Sequence, residues 1–225
     1  MRQREKAYQA NRSNILSMLD QNIKAEFLDL GCDDGIWTLK MAQAIGTDKT
    51  YGLEIVKEAG DKAKKRGITV STGNLNDTFP FKDGTFDVVN ASQVVEHIAD
   101  TDKFMDEIYR ILKPGGYAVL STENLASWHN IVALLLGYMP FSLTNISGKS
   151  AAIGNPAAPH AGKESTMESS WQHQRVFTIQ GLKHLAELTG FKVEKVLTSG
   201  YYPLGDFFSR IDPRHSHFFV VKLRR

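Results

Sequence analysis

The feature that most constrains this chain is a strand that runs through glycines into a helix. Ala25-Glu26-Phe27-Leu28-Asp29-Leu30 reads as the strand, and Gly31-Cys32-Asp33-Asp34-Gly35 as the turn. Ile36, Leu39, Ala42 and Ile45 then recur at helical spacing. Glycines let the chain reverse sharply and let a ligand approach the main chain. The alternation continues. Residues 50–55, 68–71, 86–91 and 117–122 read as strands. The charged segment 56–66, stopped by Gly67, reads as a helix. So does the run marked by Phe104, Ile108, Ile111 and Leu112, which Pro114-Gly115-Gly116 is expected to terminate. A helix near 178–189 and strands near 192–198 and 217–223 bring the strands to seven. Residues 6–19 read as a helix packed outside the first strand. Strands alternating with helices predict an α/β fold, a doubly wound and mostly parallel sheet. Its functional crevice is expected at the carboxyl ends of the strands.

The alternation breaks after Glu123. With 225 residues the chain suits one α/β domain, residues 1–225. Residues 124–177 are then an insertion within it, a cap over the crevice. A stretch of roughly 50 residues exceeds an ordinary loop and is expected to be functional or mobile. Its first part, residues 128–141, is aromatic and apolar, and is expected to be a core helix of the insertion. The alternatives are a cover over an acceptor pocket or a helix that touches a membrane. The Gly/Pro/Ala/Ser-rich part, residues 146–170, is expected to be partly mobile.

A net charge of +2 provides no basic face for nucleic acid. The single cysteine, Cys32, excludes an intrachain disulfide and fits a reducing, cytoplasmic location. The polar start has no apolar core of a secretory signal, and the longest apolar stretch, residues 131–141, is too short to span a bilayer. Monomer or homodimer is the expected state.

The turn can hold several kinds of nucleotide. A pyrophosphate would sit at the start of the following helix, where this chain has Asp33 and Asp34. These would repel it by a few kcal/mol, on the order of the interaction at an effective dielectric near 20. A ligand that is cationic and free of phosphate suits the acidic turn. Glu54, at the end of the second strand, can accept hydrogen bonds from both hydroxyls of a ribose.

The series Asp29-Leu30-Gly31-Cys32-Asp33-Asp34-Gly35, Glu54, Gly73-Asn74, Phe79-Pro80-Phe81-Lys82-Asp83-Gly84-Thr85-Phe86-Asp87, Glu96-His97-Ile98 and Leu112-Lys113-Pro114-Gly115-Gly116 resembles the class I S-adenosylmethionine (SAM)-dependent methyltransferases. The similarity is greatest to the type 11 group, which includes ubiquinone/menaquinone-biosynthesis-like enzymes. It spans about residues 20–125 and is weaker at 174–202. The resemblance implies a seven-stranded Rossmann-like sheet, SAM as cofactor and a small-molecule acceptor, apolar or lipid-like. It implies that Asp29 and the turn of Gly31, Cys32, Asp33 and Gly35 hold the amino-acid end of SAM. Glu54, with Ile55 beside it, would hold the ribose side, and Asn74 and Leu75 would flank the adenine. Ser92 and Gln93 would line the methionine and the transfer channel. The family usually has Gly where this chain has Asp33, and often Asp where it has Asn74.

Methyl transfer is an in-line displacement at carbon, and a sugar hydroxyl or carbon acid needs a base to accept its proton. His97 and His173 are the first candidates and His129 the third. Against this, His97 could simply cap or pack a turn, and the other two, beside Trp128 and Trp171, could be loop histidines. No metal site is expected. His215-x-His217 has no further ligands near it in sequence and reads as a surface pair. Cys32 reads as a small packing residue. Two other classes stay open, an NAD-dependent oxidoreductase and a non-catalytic SAM-binding module. Asp33-Asp34 argues against the first, and the intact turn with Glu54 against the second.

Overall fold

The computed structural model describes residues 2–158 and 172–225. Trp171 and the second part of the expected mobile stretch, residues 159–170, lie outside the described residues. Seven strands form one sheet: β1 (Phe27–Leu30), β2 (Thr50–Glu54), β3 (Thr69–Thr72), β4 (Phe86–Ser92), β5 (Leu112–Glu123), β6 (Lys192–Ser199) and β7 (Phe218–Arg224). Their order is β3-β2-β1-β4-β5-β7-β6, and β7 runs antiparallel to both its neighbours. The expected α/β sheet, doubly wound and mostly parallel, is what the chain builds. From β1 the chain winds one way to β2 and β3, then returns to β4 and winds the other way. The crevice therefore opens where the order reverses, above the carboxyl ends of β1 and β4.

Period-two burial divides the sheet's side chains between two cores. Leu28, Val89, Leu120 and Phe219 face one, Phe27, Val88, Val119 and Val220 the other. The first is covered by α4 (Thr101–Ile111) and α6 (Ile179–Thr189). Phe104, Ile108 and Ile111 supply the fully buried face of α4, and Leu182 and Ala186 that of α6. The second is covered by α1 (Arg2–Leu16) and α2 (Ile36–Ile45) through Ile15, Met41 and Ile45. Each such side chain removed from water contributes about 1.5–3 kcal/mol. The starts of α4 and α6 are capped by side chains: Asp100 accepts from the Lys103 N–H at 3.1 Å, and Thr178 from the Gly181 N–H at 3.1 Å. The third helix on the sheet, α3 (Lys57–Lys65), packs on β2 and β3.

Three sequence expectations change. α1 lies across β6, β7 and β5 instead of outside the first strand, and its Asn14 amide reaches the Thr198 carbonyl at 3.1 Å. α4 stops at Ile111, before Pro114-Gly115-Gly116. Leu112 is already extended, with φ −70° and ψ 144°. The Pro-Gly-Gly run instead forms an irregularity within β5, with Gly115 at φ 80°. The apolar run holds α5 (Trp128–Leu135), and it is not a core helix. It buries Asn130 and Ala133, while Leu134, Leu135 and Leu136 face outward, Leu135 at 80% exposure. The polar Asn130 is what turns inward. Its amide donates to the Asn124 carbonyl and to Ser142, at 3.0 Å each.

Residues 124–177 leave and rejoin the fold at one place. Asn124 bridges Phe177, and the Leu125 N–H donates to the Phe177 carbonyl at 2.9 Å. The Asn124 side chain locks this base by donating to the carbonyls of Arg214 and Ser216. The segment thus hangs from the carboxyl end of β5, beside the crevice.

Candidate functional site

The turn after β1 is built around two buried carboxylates. Asp29 is 3% exposed, and each of its oxygens accepts one short hydrogen bond, from the Thr38 hydroxyl (2.6 Å) and the Asn90 amide (2.6 Å). Burial pushes its carboxyl up to about 7, against the pull of those two donors, and the Glu54 carboxylate adds to the rise. A cation at this point would restore its charge. Glu54, at the end of β2, accepts main-chain N–H groups from Asp33 (2.9 Å) and Val56 (2.8 Å). It thereby ties the glycine turn to the second strand. Each carboxylate oxygen keeps one further acceptor site, enough for a pair of ribose hydroxyls.

The glycines of the turn divide their work. Gly31 lies at φ 73°, and a Cβ there would stand 3.1 Å from the Val94 side chain. Gly35 lies at φ 82°, but a Cβ there would run into Ile68 at 2.5 Å and Ala63 at 3.0 Å. It therefore serves the packing of α3. Asp33 takes the left-handed conformation at φ 48°, which Asp tolerates better than most residues. Cys32 turns inward against Gly52, and burial raises its thiol to about 12, so it is an inert packing group. Its side chain faces the core, leaving only its main chain to a ligand.

The start of α2 has little to offer a phosphate. The Ile36 N–H is already taken by the Asp34 carboxylate at 3.0 Å, and the Gly35 N–H by the Cys32 carbonyl. Arg66 pairs with Asp34 at 3.3 Å, so the acidic character of the turn rests on Asp29, Asp33 and Glu54. This donor-poor, carboxylate-rich turn fits the ammonium and sulfonium of SAM and not a pyrophosphate.

The remaining residues expected at the cofactor line the same rim unevenly. Ile55 follows Glu54 and is 47% exposed, an apolar surface suited to a flat ring. Asn74 is exposed, its carbonyl oxygen bonded to Asn76, while Leu75 leans on the core. Ser92 donates to Asn90 at 3.0 Å and so acts one step from Asp29. Gln93 has φ 56°, and its amide turns away to Ser121 at 3.1 Å, which Asn11 of α1 also holds. Thr38 and Asn90, which orient Asp29, escaped the sequence reading. Their one signal was the spacing of a polar side chain on an otherwise apolar helix or strand.

Above β4 and β5 the character of the site changes. Glu96 is 1% exposed and accepts from Thr122 at 2.9 Å, and burial raises it to about 8. His97 and His173 come together with ring centroids 4.9 Å apart. Burial lowers His97 to about 4, and the neighbouring His173 adds to the fall. His129 does not join them. It faces His217 at 3.0 Å, and burial, then His217, lowers it to about 3. His217 is itself 7% exposed, which corrects its reading as a surface residue. It stands 3.8 Å from Glu123, whose carboxyl is held down by His217 and His173 despite a burial that opposes this. His215 is separate, paired with Asp212 at 2.8 Å and stacked beside Trp128. The hollow bordered by Gln21, Lys24 and Gly46 lies at the other, amino-terminal edge of β1, far from these groups.

A family model described as a methyltransferase domain matches residues 2–196. The demethylmenaquinone methyltransferase of Anoxybacillus flavithermus is 28% identical over 194 residues, spanning 81% of this chain and 75% of that protein. A SAM-dependent methyltransferase of Thermotoga maritima shares the fold with a TM-score of 0.64 at 19% identity, over 97% of this chain and 88% of that one. Another from Mesorhizobium loti gives 0.63 at 20% identity, over 95% and 96%. With the donor-poor acidic turn, the reversal in strand order and a family match over most of its length, the chain belongs to the methyltransferase-domain family and is a SAM-dependent methyltransferase.

Proposed function

We propose that the acceptor is a small, apolar, lipid-like molecule that enters beside α5 and turns its acidic hydrogen toward His97 and His173. The observation that carries this is the outward apolar ridge of Leu134, Leu135, Leu136 and Tyr138. It stands on the same inserted segment that supplies His173. A greasy acceptor leaving a bilayer would meet such a surface first, and transient contact of α5 with a membrane is part of the reading. No helix among the described residues is long and apolar enough to cross a membrane. The name of the Anoxybacillus relative, a demethylmenaquinone methyltransferase, supports an apolar ring acceptor for this chain as well. A reducing location is the setting assumed, in keeping with the single cysteine.

SAM supplies an electrophilic methyl group when bound. Asp29, the Gly31–Gly35 turn and Glu54 hold and orient it, with Ile55, Asn74 and Leu75 around the adenine. Ser92 steadies Asn90 and through it Asp29. His97, kept neutral by burial, and His173 beside it accept the acceptor's proton. His129, locked against His217, is left to structure.

The test is transfer of labelled methyl from SAM into a panel of apolar phenols and hydroquinones, with sugars and small amines alongside. Label in the organic extract is expected, reduced at least tenfold in His97→Ala and His173→Ala. Label found only in water-soluble products would overturn the apolar acceptor. Unchanged turnover in both variants would remove the histidines.

A further inference from the structure

Glu96, His97 and His173 can each bring one ligand atom to within 4.8 Å of the others, and they are the one such group among the described residues. The surroundings prepare them as ligands. The Nδ1 of His97 faces the Gln172 carbonyl at 3.1 Å, and the Nδ1 of His173 faces the Ser142 carbonyl at 2.6 Å. A carbonyl only accepts, so both rings carry their proton on Nδ1 and present Nε2 with a bare lone pair. Glu96 is held through one oxygen by Thr122, which leaves the other oxygen unassigned. Metal-bound histidines are oriented in this way, by a carbonyl or carboxylate on the second ring nitrogen. Neither ring is fully buried, so the group opens toward the crevice.

We propose that Glu96, His97 and His173 form a binding site for a divalent first-row transition metal such as zinc or manganese. Two imidazoles and one carboxylate are the donor set such ions take, and three protein ligands leave a position for an outside oxygen. In a tetrahedral set, donors lie about 3.3 Å apart, so the three close by roughly 1 Å when the ion enters. Hydroxyl-bearing acceptors would occupy the open position, where with both Nε2 lone pairs on the ion the bound hydroxyl would lose its proton to solvent instead of to an imidazole; this clause rests on the reading of His97 and His173 as facing the acceptor, while the metal site itself does not. No close-spaced ligand motif marks it, because residue 173 lies far along the chain from 96 and 97.

The test uses full-length protein, stripped with a chelator and titrated at pH 7.5 with Co2+ as a spectroscopic probe, then with Zn2+ in competition. SAM binding is measured on the same samples. Saturable uptake of one equivalent with visible d–d absorption is expected. His97→Ala, His173→Ala and Glu96→Gln should each weaken it at least tenfold. Thr122→Val, which removes only the support of Glu96, should weaken it by about 10-fold. His184→Ala, an exposed histidine on α6, should leave it unchanged. Circular dichroism guards against misfolding, and Thr122→Val serves if a ligand variant does not fold. Absence of saturable uptake, or uptake insensitive to all four variants, overturns the metal site. If SAM still binds in that case, the methyltransferase assignment stands alone. If the metal binds and turnover still survives in His97→Ala and His173→Ala, the acceptor reading fails and the site remains.

Discussion

The two halves of the crevice handle buried charge in opposite ways. At β1 and β2, Asp29 and Glu54 have every oxygen met by a donor from within the fold. At β4 and β5, Glu96 has one side-chain donor, and a buried ring nitrogen of His129 has none. The first half is a rigid seat, organised before any ligand arrives, which suits a cofactor of fixed shape. The second half keeps unspent bonding capacity, which suits a site finished by its acceptor or by an ion. Methyl transfer needs both, because one reactant is always the same and the other must be positioned against it.

The sharpest attack on the first half is Asp29→Asn. We expect SAM affinity to fall by about 100-fold, on the scale of a buried charge-assisted contact. Stability should move the other way. The carboxyl sits at about 7 in the folded chain against an ordinary value of 3.8. Its contribution is therefore intact at acid pH and is lost as pH rises from about 4 to about 7. At pH 8 the full penalty applies, on the order of 4 kcal/mol as a ceiling. The ligand-free variant should gain on wild type in thermal melts as pH rises from 5 to 8. Calorimetric affinity within threefold of wild type would make Asp29 scaffold only, and erase the contrast between the halves.

Gly35→Ala separates packing from binding within the turn. The new Cβ meets Ile68 and Ala63 and sits at φ 82°, so about 2–4 kcal/mol of stability should go. Gly31→Ala meets only Val94 at 3.1 Å and should lose about 1–2 kcal/mol. Denaturant melts measure both. An equal loss would mean that both glycines serve the ligand side alike.

The contrast also explains what could be read from the sequence. The seat was legible because it is local. Asp29 through Gly35 is contiguous, Glu54 closes the next strand, and hydrophobic periodicity gave the sheet that places them. Thr38 and Asn90 were missed, since a polar residue on a buried face has no sequence signature until its partner is known. The second half joins residues 96, 123, 129, 173 and 217, whose meeting depends on the base at Asn124–Phe177 and on β7 lying beside β5. Periodicity also misled at α5. Its apolar letters implied burial, but the buried anchor is Asn130, and hydrophobicity alone cannot tell a core helix from one that meets an apolar partner.

His129→Phe probes the cost of the second half. Burial holds His129 at about 3 against the usual 6.5, and burial lowers His217 too. A lowered base means that the unfolded chain takes up protons first, so stability falls as pH drops below about 6.5 toward the folded value. At pH 5 the His129 share is about 2 kcal/mol. Phenylalanine fits the rings of Phe141 and Tyr202 and removes an unpartnered buried nitrogen. The variant should regain about that amount at pH 5 and change little at pH 8. A uniform loss at both values would show the His129–His217 bond to be stabilising.

The smallest expected effect on stability falls at α5. Leu135 is 80% exposed and Leu136 67%, so Leu135→Ser with Leu136→Ser should shift the melt by less than about 0.5 kcal/mol. Flotation with liposomes should drop severalfold, and turnover on a dispersed lipid-like acceptor should fall more than turnover on a short-chain soluble analogue. That split assigns the ridge to delivery and leaves the chemistry to the crevice. A destabilisation of about 2 kcal/mol or more would instead put the ridge against part of its own chain, and would return α5 to the core role its composition first implied.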